Sequence, residues 1–121
     1  MTVIFYDSNE SEQHFNTTAW VDAASKSGFL RAQPHWLWLY CEYGGTLTNR
    51  EVEVRITVND VERAYDYHTP GKVNGYKNFS SFGQITPVVE DTEYTIRLQV
   101  KGENTAQTVN IRRIRLMVMQ E

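Results

Sequence analysis

Residues 34–45 read Pro-His-Trp-Leu-Trp-Leu-Tyr-Cys-Glu-Tyr-Gly-Gly, and this alternation leaves the chain few ways to fold. In an extended strand Leu37, Leu39, Cys41 and Tyr43 fall on one side, and Trp36, Trp38, Tyr40 and Glu42 on the other. Aromatic richness, length and the Gly44-Gly45 stop favour a strand over a helix. A strand apolar on both faces is either sandwiched between layers or carries an interface on its second face.

The cleanest alternation lies at 51–58. Val52, Val54, Ile56 and Val58 share one face, and Glu51, Glu53, Arg55 and Thr57 share the other, the pattern of a half-buried antiparallel strand. Asn59 and Asp60 tolerate positive φ and predict a tight hairpin into 61–68, where Val61, Tyr65 and Tyr67 alternate with Glu62, Asp66 and His68. Upstream, 2–6 and 17–23 read as strands separated by a polar loop or arm at 7–16, with a turn at 25–28 and a brief strand at 28–32. Downstream, 76–88 reads as a long strand in which Phe79 and Phe82 share a face only across a bulge at Ser80-Ser81. A turn at Glu90-Asp91 leads to 93–101, with Tyr94, Ile96, Leu98 and Val100 in phase. The last strand, 108–119, switches phase between Ile111 and Ile114, so a second bulge is expected at Arg112-Arg113.

About eight strands with no helical periodicity predict an all-β fold, an antiparallel two-sheet sandwich of jelly-roll type. Residues 17–121 form that single domain, and residues 1–16 are its N-terminal strand and arm. Val52, Val54, Ile56, Tyr94, Ile96, Leu98, Ile114 and Leu116 are expected in one core.

Chemistry is harder to find. His14, His35 and His68 lack the spacing of paired metal ligands and read as scattered surface histidines. Glu51 and Glu53 are neighbours on a solvated face with Arg55, Arg97 and Arg112 as cross-strand partners, which accounts for them without catalysis. No nucleophile-elbow, dinucleotide or phosphate-loop motif occurs, so no catalytic residue, metal or cofactor is assigned. Cys41, the single cysteine, excludes an internal disulfide and reads as an inert core thiol. With 12 basic against 15 acidic residues, the net charge of −3 gives no case for nucleic acid or an anionic membrane. The start, Met-Thr-Val-Ile-Phe-Tyr-Asp, lacks the basic and apolar regions of a signal peptide, and the expectation is a stand-alone product kept in the cytoplasm or assembled there.

The aromatic residues are the one signal above background. If Val52, Val54 and Ile56 mark the core face, Leu37, Leu39 and Cys41 belong beside them and Trp36, Trp38 and Tyr40 point outward. Such a patch must be covered by the N-terminal segment, by another subunit or by a ligand. Trp36, Trp38 and Tyr40, joined by Phe5, Tyr6 and Trp20, are the candidate interface.

Several stretches carry a family resemblance: the strand ending Tyr40-Cys-Glu, Val52-Glu-Val-Arg-Ile-Thr-Val-Asn-Asp, Phe79-Ser-Ser-Phe-Gly, Tyr94-Thr-Ile-Arg-Leu-Gln-Val and Ile111-Arg-Arg-Ile-Arg-Leu. Together, over roughly residues 17–119, the chain resembles a family of small phage virion accessory domains. Asn59-Asp60 departs from it, since Asp-Gly is common at that turn. The resemblance implies a jelly roll, no catalytic residues, and a role like that of head-decoration (cement) proteins or tail and fibre modules. The partners so implied are the major capsid protein or another virion protein and further copies of the chain, as dimer or trimer, in a virion assembled in the host cytoplasm. The competing expectation is a carbohydrate-binding β-sandwich whose exposed Trp and Tyr stack on a glycan.

Overall fold

A computed structural model describes residues 2–86 and 92–120. Within them lie nine strands: β1 (Thr2–Asn9), β2 (Gln13–Phe15), β3 (Val21–Leu30), β4 (His35–Gly45), β5 (Val52–Val58), β6 (Val61–His68), β7 (Gly75–Ile85), β8 (Thr92–Gly102) and β9 (Val109–Gln120). They form two antiparallel sheets, one in the order β1-β9-β4-β7 with β2 continuing beside β9, the other in the order β3-β8-β5-β6. Leaving aside the short β2, every connection crosses between sheets except the β5–β6 hairpin. That wrapping is the jelly roll.

The period-two pattern explains the layers. Leu39, Cys41, Tyr43, Val52, Val54, Ile56, Val100, Val109, Ile111 and Val118 are completely buried between the sheets, with Ile96, Leu98, Ile114 and Leu116 beside them. Each such side chain contributes roughly 1.5–3 kcal/mol of transfer free energy. Tyr94 packs at the margin of this core rather than within it. His35 is also fully buried, its Nδ1 2.7 Å from the Gln33 carbonyl, so it is not a surface histidine. In β6 the phase is the reverse of an apolar-inside strand: Asp66 and His68 turn inward, and Tyr65 and Tyr67 outward. Tyr43 makes this possible by donating its hydroxyl proton to Asp66 (2.7 Å) and packing edge-on against the His68 ring.

Other differences arise from pairing. The polar segment 7–16 is not an arm, because β1 continues to Asn9 and β2 adds three residues, both paired with β9. The expected turn at 25–28 is the middle of β3, which pairs with β8 along its length. Gly28 lies in it, with the Phe5 ring at ordinary contact distance, 3.4 Å, from where a β-carbon would stand. No bulge occurs at Ser80-Ser81: β4 and β7 pair continuously from His35↔Ile85 to Gly45↔Gly75, so Phe79 is buried and Phe82 faces outward. The bulge at Arg112-Arg113 is present, with Arg113 at φ 52° and a register shift opposite Tyr40 and Glu42. The expected turn at Glu90-Asp91 lies outside the described residues.

The Asn59-Asp60 hairpin forms as expected, at φ 49° and 66°. Asn59 is anchored, since its side-chain oxygen accepts from Thr95 N–H (2.8 Å) and its own N–H donates to the Thr95 carbonyl (2.9 Å). Asp60 has a side chain 92% exposed and only a 4.0 Å contact with Arg97. Asp60→Gly is therefore expected to stabilise the fold by about 0.5 kcal/mol, by relieving a left-handed non-glycine residue. Asn59→Gly should not, because it loses the anchor. Chemical denaturation of the two variants distinguishes them.

Candidate functional site

The two outer faces of the sandwich differ in kind. On the four-stranded sheet the outward side chains form a solvated network. Arg97 pairs with Asp22, Lys101 with Glu53 and Arg55 with Glu62. Trp20 lies in this network, with the Arg55 guanidinium 4.4 Å and the Lys101 ammonium 4.8 Å from its ring and Tyr65 against its edge. Trp20 is thus on the opposite side of the molecule from Trp36. Arg97 and Arg112 are not partners of Glu51 or Glu53, since Arg97 is held by Asp22 and Arg112 is in the other sheet.

On the five-stranded sheet, register assembles a surface that no single strand encodes. Trp36 lies between Met119 of β9 and Gln84 of β7, and Trp38 between Met117 and Phe82. Across β9, Met119 and Met117 are followed by Val3 and Tyr6 of β1. The result is an apolar stripe across all four main strands. Val3 and Tyr6 are 51% exposed and Phe82 59%, while the Trp and Met side chains are half-buried against one another. Trp36 and Phe82 stack with centroids 5.4 Å apart and planes at 7°.

Phe5 does not belong to this face. Ile4 is the extra residue of a bulge between Val3↔Met119 and Phe5↔Val118, and this shifts the alternation by one. Phe5 therefore turns inward against the core, below the Lys26 ammonium. Of the six candidate residues, the structure brings together Trp36, Trp38, Tyr40 and Tyr6. It adds Val3, Phe82, Met117 and Met119, which sequence reasoning missed because their membership depends on how β1, β7 and β9 register against β4. The N-terminal segment does not cover the stripe, because β1 and β2 lie beside β9 rather than over β4.

The other half of the same face is charged and tightly paired. Glu42, 7% exposed, accepts from Arg112 Nε (2.8 Å), Arg113 Nη1 (3.1 Å) and the Tyr40 hydroxyl (2.8 Å). The bulge makes this possible by directing both arginines at one carboxylate. Burial pushes the Glu42 carboxyl up, but the Arg112, Tyr40 and Arg113 hydrogen bonds outweigh it and hold the group down at about 2. Arg112 also lies 3.8 Å from the Tyr76 ring centroid, Tyr76 donates to Glu12, and Arg115 pairs with Glu10 at 2.8 Å. A carboxylate so strongly acidic and so fully paired is a poor proton carrier at neutral pH. Its role is to fix the bulge and the arginines.

Cys41 is buried in the core, which pushes its thiol far above the ordinary range. Among the described residues, no three His, Cys, Asp or Glu side chains are grouped to hold a metal ion. What the site offers is apolar contact area beside a charged, hydrogen-bonded border. No protein-family model matches the chain, and no curated protein matches it in sequence.

Proposed function

We propose that this protein is a non-enzymatic virion structural protein that docks through the outer face of its five-stranded sheet, as a capsid decoration (cement) protein does between shell subunits. The observation that carries the reading is the stripe of Val3, Tyr6, Met117, Met119, Trp36, Trp38 and Phe82, left open on the surface of a sheet whose inner face already fills the core. Methionine beside aromatic rings suits protein contact, because flexible thioethers adapt to a partner's relief. A glycan platform needs polar donors around a free ring face. Here Trp36 is stacked on Phe82 and bordered by Met119, and its Nε1 is buried without a partner. The sequence resemblance to phage accessory jelly rolls points to the same role. Affinity at each copy would be modest once association costs are met, and a symmetric shell supplies avidity.

The test is Trp36→Ser with Trp38→Ser. These side chains are only half-buried, so the double variant is expected to keep the circular dichroism spectrum of the sandwich while losing co-sedimentation with particles assembled without it. Undiminished particle binding by the folded double variant would refute the proposal. Saturable oligosaccharide binding at this face, without particle binding, would give the site to the carbohydrate-binding alternative.

A further inference from the structure

The sandwich has four sheet edges, and they are not alike. Unpaired edges invite association, and proteins blunt them with bulges and charges. Three edges here are blunted. β1 carries Ile4 as the extra residue of a bulge, β3 carries Ala23 between Asp22↔Gln99 and Ala24↔Leu98, and β6 carries Arg63 between Ala64↔Ile56 and Glu62↔Thr57. Charged residues lie on each of them: Asp7 on β1, Asp22 and Lys26 on β3, and Glu62, Arg63 and Asp66 on β6.

The fourth edge, β7, has no bulge, and its one charge, Lys77, stands near its start. Its eleven residues pair with β4 without a register shift, and none from Asn78 to Ile85 is charged or proline. Among the described residues, no strand pairs with its far side. Two of its inward positions are the small Ser81 and Gly83, and beside them a cleft of about 180 Å³ opens toward Arg63 of β6. An approaching backbone meets little side-chain bulk there.

We propose that β7 is a self-association edge, on which β7 of a second copy adds antiparallel about a two-fold axis at Ser80. The strand is symmetric in length about that residue. Ser80 then faces the second copy's Ser80, Asn78 faces Phe82, and Tyr76 faces Gln84, with outward side chains meeting outward ones. Charge selects the direction. Lys77 is the only charged residue of β7 and is already bonded to Asp66 and to the Tyr67 carbonyl at 3.2 Å. In the antiparallel pair the two Lys77 residues stand six positions apart along the seam, about 20 Å, whereas a parallel pair would set them side by side. The dimer carries both aromatic stripes on one continuous surface, facing the same way. Self-association here does not depend on what the stripe binds.

The experiment uses Ser80→Lys and Ser80→Glu. Ser80 is exposed on the outer face, so neither change touches the core. At the two-fold axis each variant sets like charges directly opposite, about 5 Å apart at Cβ. Wild type is expected to sediment as a dimer. Each variant alone should be a folded monomer, weakened in self-association at least about a hundredfold. An equimolar mixture of the two should recover a heterodimer, because Lys then faces Glu. A wild type that remains monomeric at high concentration overturns the proposal. So does a Ser80→Lys variant that dimerises like wild type, or a monomeric wild type whose β7 amides gain exchange protection only from another protein's extended segment. The Trp36, Trp38 double variant should still dimerise, which separates this edge from the docking face.

Discussion

Gly44→Ala is expected to cost at least about 4 kcal/mol, placing it among the rare severe substitutions, or to prevent folding altogether. A β-carbon at Gly44 would lie 1.9 Å from the Gly75 carbonyl oxygen and 3.2 Å from the Tyr76 Cα. Both atoms are backbone, so no rotamer change relieves the contact, and β4 must separate from the start of β7. That separation also strains the Asn74 N–H to Gly45 carbonyl bond (3.0 Å) that closes the same end. At Gly45 a β-carbon would lie 2.3 Å from Gln107 Nε2, and the Gln107 side chain holds the following loop by accepting from Leu47 N–H (2.7 Å) and donating to the Arg50 carbonyl (2.9 Å). The control is Gly83→Ala in the same strand pair, where a β-carbon meets nothing within 4 Å. Thermal unfolding should show Gly44→Ala lowered by more than about 15 °C and Gly83→Ala close to wild type. Equal transitions for the two would contradict the close approach of β4 and β7.

Glu42→Gln is expected to destabilise the protein by about 2 kcal/mol at neutral pH. The amide keeps the size of the side chain but leaves Arg112 and Arg113 converging without a counter-charge. Removing one partner of a fully buried pair costs more, and the figure is reduced here because Arg112 and Arg113 are 35% and 50% exposed. The pH dependence has a definite sign. Glu42 is held down at about 2 in the fold, against an ordinary value of 4.5. Its stabilisation is therefore complete above pH 4.5 and is lost as the pH falls toward 2. Denaturant midpoints of wild type and Glu42→Gln should differ by a constant amount from pH 5 to 8 and converge by about pH 2. A difference that persists unchanged at pH 2 would mean that Glu42 acts through packing rather than charge.

What the sequence determined by itself is the side of the sheet each residue takes within an unbroken strand. Val52, Val54 and Ile56 are inside and Trp36, Trp38 and Tyr40 outside because alternation is a property of one extended backbone and needs no partner. The bulge at Arg112-Arg113 was legible for the same reason, since Ile111 and Ile114 cannot both reach the core without an extra residue. The tight turn at Asn59-Asp60 was legible because positive φ is a local demand. What only the tertiary structure decided is who stands beside whom. Trp20 and Trp36 occupy opposite faces, because Trp20 leads into β3 and Trp36 lies in β4, strands of different sheets. Phe5 and Tyr6 part company at a bulge whose signal, an isoleucine in an apolar run, is invisible until β1 pairs with β9. Gly44 and Gly45 do end β4, as their sequence indicates, but they are its last paired residues, and only the pairing shows that Gly44 fills the space left by another backbone. The docking face belongs to this second class. Its members come from four strands distant in sequence, and only the hydrogen-bond register between them makes one surface out of Val3, Met119, Trp36 and Phe82. A period of two specifies a direction, whereas a neighbour across the sheet is specified by long-range pairing, which one strand's residues do not encode.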